Sequence, residues 1–494
     1  MRGVLLLVLA LLAAGCVTPE TETPAGILET ELSPLVAFDG AGLPVPIPEI
    51  LQDGLDVVTS LTGHRGAEPN VGVTSTGAVF MTAGHNTLRS TDQGATWEIV
   101  FNLSEELPQI ACPVPVGIPV VGCPTGLTRS SDPMLWVDPT TDRVFTDHMT
   151  GLYCSNMIYS DDEGESWTMK PMTCGTPVND HQKVATGIGY GPAYPAPVTS
   201  PVYENPVFYC YNKLVATRCA VSMDGGLTFP IENTVAGLGG DSTCGGINGH
   251  PAPHPDGTMF VPLNLGCPAT AVGVSEDSGL TWTFKMAPWE DIGANEIDPE
   301  ITVTPDGTAY MLWRGQDHLQ YLARSADKFD TWEGPWRVSP EGVKSTAFAG
   351  LTSQVDGKIA FAFLGSRDTG AYPSEAPDDA RWHLFTGVSL DAAAANPTFT
   401  LLQATPDADP VQIGCVWLEG GGEPCRNMLD FIDMASDKDG RFYVAYTEGC
   451  IAASQHPAGA DAAGEKDCAF NADGTNEESR GRHAAIAVGE ALLV

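Results

Sequence analysis

The sequence predicts an all-β fold assembled from repeated hairpins, and three observations carry that expectation. An eight-residue pattern, S-x-D-x-G-x-[ST]-[WF], occurs at residues 90–97, 160–167, 222–229 and 275–282. A worn copy at 325–332 has Phe329 in place of the glycine, and Ser389-Leu390-Asp391 is the remnant of another. Short β-rich or alternating runs precede each copy, as strands require. The pattern itself is a self-tied turn. Its aspartate accepts hydrogen bonds from backbone N–H groups just ahead of it, its glycine supplies a positive φ, and its hydroxyl residues join the two ends. The closing Trp or Phe opens the next strand and buries a large ring between neighbouring sheets. On this reading Asp92, Asp162, Asp224 and Asp277 are structural.

A period of this length points to a repeat architecture and a single domain despite the 494 residues. The turns resemble the Asp-box (BNR) repeat of sialidases and related β-propellers, over roughly residues 64–490. The resemblance implies blades of four antiparallel strands, A innermost to D outermost, with the box as the C–D turn. Reading back from each box gives seven blades, six being the alternative. Blade 1 has strands at 69–74, 78–82 and 87–90, and blade 2 at 133–137 and 143–145. Blade 3 is stretched by a Pro/Gly-rich insertion at 187–205 before its next strand at 206–211. Blades 4, 5 and 6 turn at His254-Pro255-Asp256-Gly257, Thr304-Pro305-Asp306-Gly307 and Val355-Asp356-Gly357. Blade 7 turns at 436–440, continues at 441–446 and 484–488, and runs out of chain, so residues 55–61 are expected to close the ring as an N-terminal strand.

Ahead of the propeller (51–494), Met1-Arg2, an apolar run at 4–12 and Ala13-Ala14-Gly15-Cys16 form a short export signal too brief for a permanent membrane span. A cysteine directly after small residues resembles a bacterial lipobox, which implies lipidation of Cys16 and an exported protein at the cell envelope. An ordinary signal peptide is the alternative. Residues 17–50, rich in Pro, Thr and Glu, read as a tether. The other twelve cysteines fall as near neighbours (112/123, 154/174, 210/219, 244/267, 415/425, 450/468), and six local disulfides are the simplest pairing in an exported chain. No C-x-x-C occurs and the histidines do not cluster with cysteines, so neither a metal nor another cofactor is expected. Lys+Arg 24 against Asp+Glu 62 gives a net charge of −38, which excludes nucleic acid and anionic lipid as partners of the folded body. Apart from the anchor, the chain is expected to be a monomer, and the resemblance implies that it meets a glycan or glycoconjugate.

Strand direction then assigns the faces. Boxes and A–B turns share one face; B–C loops and D-to-A crossovers share the other, around the channel mouth. Polar residues opening the innermost strands are the candidates: Arg65 and Glu68, Arg129 and Asp132, Asp180, His181 and Lys183, Asn248 and His250, Glu296, Asp298 and Glu300, Arg426 and Asp430. Ends of B strands add His85, Asp147, Arg314, Asp317, His318, Arg367 and Asp368. The resemblance implies three arginines around a substrate carboxylate, a planar fork suited to that task, with a Tyr nucleophile, a Glu partner and an Asp acid/base. Arg65 fills the first clamp position, and Arg314, Arg367 and Arg426 are candidates for the others, with His181 and His250 also binding substrate. Asp132 or Glu68 is the candidate acid, Glu300 the Glu partner, and Tyr372 the candidate nucleophile. The sequence departs from the family where Gly63-His64-Arg65-Gly66-Ala67-Glu68-Pro69 stands in place of F-R-I-P. Two functions follow as expectations. One is a sialidase-like glycoside hydrolase, which needs converging arginines. The other is a non-catalytic propeller binding glycan or protein, which leaves them splayed or paired with local carboxylates. A carboxylate glycosidase for neutral sugars, using Asp132 and Glu300, lies between.

Overall fold

The computed structural model describes residues 34–103, 130–150, 154–172, 179–195, 202–237, 244–295, 298–419, 425–449, 451–452, 466–467 and 483–494. They form a seven-bladed β-propeller of antiparallel sheets. Blade 1 comprises Val71–Val73, Val79–Ala83, Asn86–Ser90 and Glu98–Asn102; blade 2 comprises Ser130–Val137, Val144–Thr150, Cys154–Ser160 and Thr168–Met172. Blade 3 uses Asp180–Thr186, Val207–Lys213, Ala216–Ser222 and Ile231–Gly237. Blade 4 uses Ala252–Pro253, Met259–Leu263, Ala271–Ser275 and Thr283–Met286, and blade 5 uses Glu300–Val303, Ala309–Arg314, Gln320–Ser325 and Glu333–Arg337. Blade 6 is built on Ser345–Thr352, Ile359–Ser366, Arg381–Ser389 and Thr398–Gln403. Blade 7 joins Asp433–Ser436, Arg441–Glu448 and His483–Ala491 to Val57–Leu61, which pairs Val57 with Gly489 and closes the ring as expected.

One boundary moves. Residues 17–50 were expected to be tether, but Val36–Asp39 is a strand on the outer edge of blade 6, pairing Val36 with Leu401 and Asp39 with Thr398. The Pro-rich composition hides it because only Val36, Ala37 and Phe38 are strand-like, and Phe38 is buried against Phe399 at 6.0 Å between ring centroids.

The repeated turns have the geometry their residues dictate. In the first, Ser90 Oγ donates to Asp92 Oδ1 at 2.8 Å and accepts from the Gly94 N–H at 2.8 Å. Asp92 also accepts from the N–H and hydroxyl of Thr96 at 2.8 and 2.6 Å. Asp162 with Ser166, Asp224 with Thr228 and Asp277 with Thr281 repeat those bonds at 2.6–2.8 Å. The worn copy keeps them through Asp327 and Thr331. Phe329 there adopts φ 64°, a left-handed backbone that is unfavourable for an L side chain. Its ring, buried and edge-on to Phe260 at 5.1 Å, offsets that cost.

Each closing aromatic fills a junction between blades. Trp97 packs with Val71, Met81, Tyr443 and Ile486 between blades 7 and 1, and Trp167 with Phe80, Leu135 and Val144 between blades 1 and 2. Trp282 does the same between blades 3 and 4, and Trp332 between blades 4 and 5. The core is thus a ring of inter-sheet layers, and burial of apolar area between faces, not within one sheet, holds the blades together. Disulfides join Cys210 to Cys219, Cys244 to Cys267 and Cys415 to Cys425, three of the expected pairs. Cys210–Cys219 lies across paired strands three residues from their turn, so it staples that hairpin. Of the other three pairs, 112/123 and 450/468 lie outside the described residues, as do Cys174, the expected partner of Cys154, and Arg129, Glu296 and Cys16. Among the described residues no helix is long and apolar enough to cross a membrane.

Candidate functional site

Register confirms which end of each blade is which. In blade 2, Val144 pairs both with Val137, beside the A–B turn, and with Ser160, which opens the box. Boxes and A–B turns therefore share the lower face, and Asp92, Asp162, Asp224 and Asp277 stand away from the residues that open the innermost strands.

Those opening residues are set by an unusual backbone. Glu68, Asp132 and His181 have φ of 53°, 50° and 52°, and the last two sit in bulges where the register slips between Ser131 and Met134 and between Asp180 and Lys183. A left-handed residue other than glycine costs on the order of 1 kcal/mol and is found where the surrounding structure overrides it. Here the left-handed backbone, with a bulge at two of the three positions, turns side chains from consecutive blades into one cluster.

Glu68 is fully buried and its Oε1 accepts from the Asp430 N–H at 3.1 Å. Asp132 Oδ2 accepts from the His181 N–H at 3.1 Å. Asp430 receives the Arg426 guanidinium and lies 3.2 Å from His181 Nε2. Behind His181, Nδ1 is 3.4 Å from Asp298, whose other oxygen is 3.3 Å from the fully buried Lys183 ammonium. That ammonium rests 3.5 Å from the Phe431 ring centroid, a desolvated cation–π contact. A second pair adjoins: His250 Nδ1 meets Glu300 at 2.7 Å and its Nε2 meets Asn70 at 3.0 Å. Asp433 accepts from the N–H groups of Val71 and Met434.

Burial and mutual repulsion set the charges. Burial first, then Asp132 and Asp430, push the Glu68 carboxyl well above the usual carboxylate range. Burial and the neighbouring Asp132 raise Asp180 to about 6. Burial disfavours the charged form of His181, but Asp298 and Asp430 outweigh it and hold the imidazole well above its ordinary value. Asp298 falls to about 2 because Lys183 and His181 overcome its burial. His250 drops to about 4 through burial, with Lys183 adding to the effect.

The structure therefore gathers Glu68, Asp132, His181 and Arg426, and sets Glu300 against His250. Among the described residues, three of the four candidate clamp arginines are engaged with other groups. Arg314 is fully buried and donates to the backbone carbonyls of Asn295 and Thr346, fastening blade 5 to blade 6. Arg367 is exposed, donates to Gln403 and lies 5.0 Å from the Phe385 ring centroid. Arg65 is exposed, and Arg426 is committed to Asp430 and to the Glu419 carbonyl. Tyr372 packs on Arg314 at 5.2 Å and His318 at 5.5 Å, and Glu300, its expected partner, is held by His250. Sequence reasoning missed Asn70, Phe431 and Asp433. One signal was available for the cluster as a whole: Glu68-Pro69, Asp132-Pro133, His250-Pro251 and Asp298-Pro299 repeat a polar residue before proline at the start of four blades.

No protein-family model matches the chain, and no curated protein matches it. Among solved structures it is similar to the GH74 enzyme of Niastella koreensis, with 16% identity, 79% of this chain and 52% of that one covered, and a TM-score of 0.47. It is also similar to a leech intramolecular trans-sialidase (13% identity, 78% and 65% covered, TM-score 0.37). A protein of unknown function from Dyadobacter fermentans gives 13% identity, 88% and 98% covered, and a TM-score of 0.37. The chain spans about half the length of the Niastella enzyme. At these values none of the three bears on what the site does, and the fold stands on the strand pairing.

Proposed function

We propose that the protein is an exported, lipid-anchored propeller that binds uncharged glycan at its upper channel mouth and does not carry sialidase chemistry. The observation that carries this reading is the commitment of three of the four candidate arginines: Arg314 to backbone carbonyls, Arg367 to Gln403 and Arg426 to Asp430. An anionic sugar would meet a cluster rich in carboxylates on a body of charge −38, which repels it. Carboxylates are good acceptors for sugar hydroxyls, so a neutral glycan suits the same surface.

The test is a glycan array together with fluorogenic sialosides and neutral glycosides, using the purified protein and Asp180→Ala. Retention on neutral glycans, weakened several-fold by Asp180→Ala, is expected, with no aglycone released. Release of sialic acid, or no retention on any glycan, would overturn the reading. A second reading, hydrolysis of a neutral glycoside, is favoured by one observation: the partly exposed Asp180 carboxyl is hydrogen-bonded to Asp132, a ready proton-passing pair. Turnover of a neutral glycoside that disappears in Asp180→Asn would select it.

The anchor has its own check. Labelled palmitate should enter the wild-type chain and not Cys16→Ser, which should then appear in the medium. Equal labelling of the two would remove lipidation at Cys16.

A further inference from the structure

The cluster crowds together more carboxyl groups than basic ones: Glu68, Asp132, Asp180, Asp298 and Asp430 converge, with Lys183, Arg426 and His181 beside them. This surplus of carboxyl groups lies in a region that water barely reaches, where two of them side by side need a shared proton or a bound cation.

The surplus has a location. Glu68, Asp132 and Asp430 each offer a carboxylate oxygen, all within 4.8 Å of one another, and the three residues are 0%, 7% and 3% exposed. Glu68 Oε2 and Asp430 Oδ1 are buried and, among the described residues, accept no hydrogen bond. Their partner oxygens are already used, Oε1 by the Asp430 N–H and Oδ2 by Arg426 and His181. The orphaned oxygens are thus the second, open side of carboxylates fixed on their first side.

We propose that Glu68, Asp132 and Asp430 bind a single hard divalent cation of the calcium class in the throat of the channel. The ligand chemistry selects the ion. Three carboxylates and no sulfur or free imidazole favour an oxygen-seeking cation. Calcium–oxygen bonds of roughly 2.3–2.6 Å allow ligands across the ion to stand up to about 5 Å apart, which the trio already satisfies, whereas magnesium demands a tighter octahedron. The three ligands come from blades 7, 1 and 2, consecutive around the ring, so the ion would tie the closing blade to the two blades that follow it. This inference does not depend on glycan binding.

The experiment is calorimetric titration of CaCl2 into EGTA-treated, dialysed full-length protein, with thermal melting in parallel. One calcium per chain is expected, with a melting temperature raised by about 3 °C or more at millimolar calcium. Glu68→Gln and Asp132→Asn should each weaken binding at least tenfold, while Asp92→Asn, on the lower face, leaves it unchanged. Two variants guard against one failing to fold. Absence of calcium binding in the wild type, or binding undiminished in a folded Glu68→Gln or Asp132→Asn protein, would overturn the proposal.

Discussion

Arg314→Ala should cost about 3–5 kcal/mol of stability, whereas Arg367→Ala should cost under about 0.5 kcal/mol. The two arginines occupy equivalent places at the ends of B strands and look alike in the sequence. Arg314 is fully buried, stacks near Tyr372, and its guanidinium is the donor for carbonyls on both sides of the junction between blades 5 and 6. Removing it strips the Asn295 and Thr346 carbonyls of a charged donor and opens a hole the size of the side chain, and both effects destabilise. Arg367 is exposed, so its bond to Gln403 is readily exchanged for bonds to solvent. Urea denaturation of the two variants beside the parent measures the difference. A similar, small loss for both would show that Arg314 is not a fastener between blades.

Lys183→Met should be comparably damaging, by about 3–5 kcal/mol, because it leaves Asp298 as a buried charge without its main partner. Methionine keeps the stem packed against Phe431, so the loss reports charge more than volume. Two refinements make the prediction specific. Adding Asp298→Asn should recover part of the loss, since a neutral amide no longer needs the ammonium, and the double-mutant cycle gives the coupling. The pH dependence has a defined sign. Asp298 is held down at about 2, below its ordinary 3.8, so Lys183 contributes stability that is fully present above pH 4 and is lost as pH falls through 2. In Lys183→Met the same carboxyl takes up its proton at higher pH, so the gap between variant and parent should narrow on acidification. A gap independent of pH, with no rescue by Asp298→Asn, would mean that packing rather than the ion pair is at stake.

The architecture was readable because its information is local. A serine, an aspartate, a glycine and a hydroxyl within eight residues determine one turn, and repetition of the turn marks the blades; even the closing strand at Val57–Leu61 announces itself as β-rich residues left over at the start. Val36–Asp39 escaped because four residues in a proline-rich stretch have too little pattern to be seen. The site was legible only as a set of polar residues at strand starts. Nothing in the sequence shows that Arg314 finds carbonyls while Arg426 finds a carboxylate, since both partners are fixed by which blade lies alongside. The left-handed backbone at Glu68, Asp132 and His181 is equally hidden, because the residue type that usually marks such a conformation is glycine.

The pairing of Val57 with Gly489 has a consequence for how the molecule comes into being. Five of its sheets are built only from strands that follow one another along the chain and blade 6 merely gains Val36–Asp39 at its outer edge, whereas the seventh needs partners more than 400 positions apart, the costliest kind of encounter in a folding reaction. A chain emerging from one end is an open arc with two raw edges until residues 483–489 arrive. Damage there should therefore act on assembly long before it touches the carboxylates.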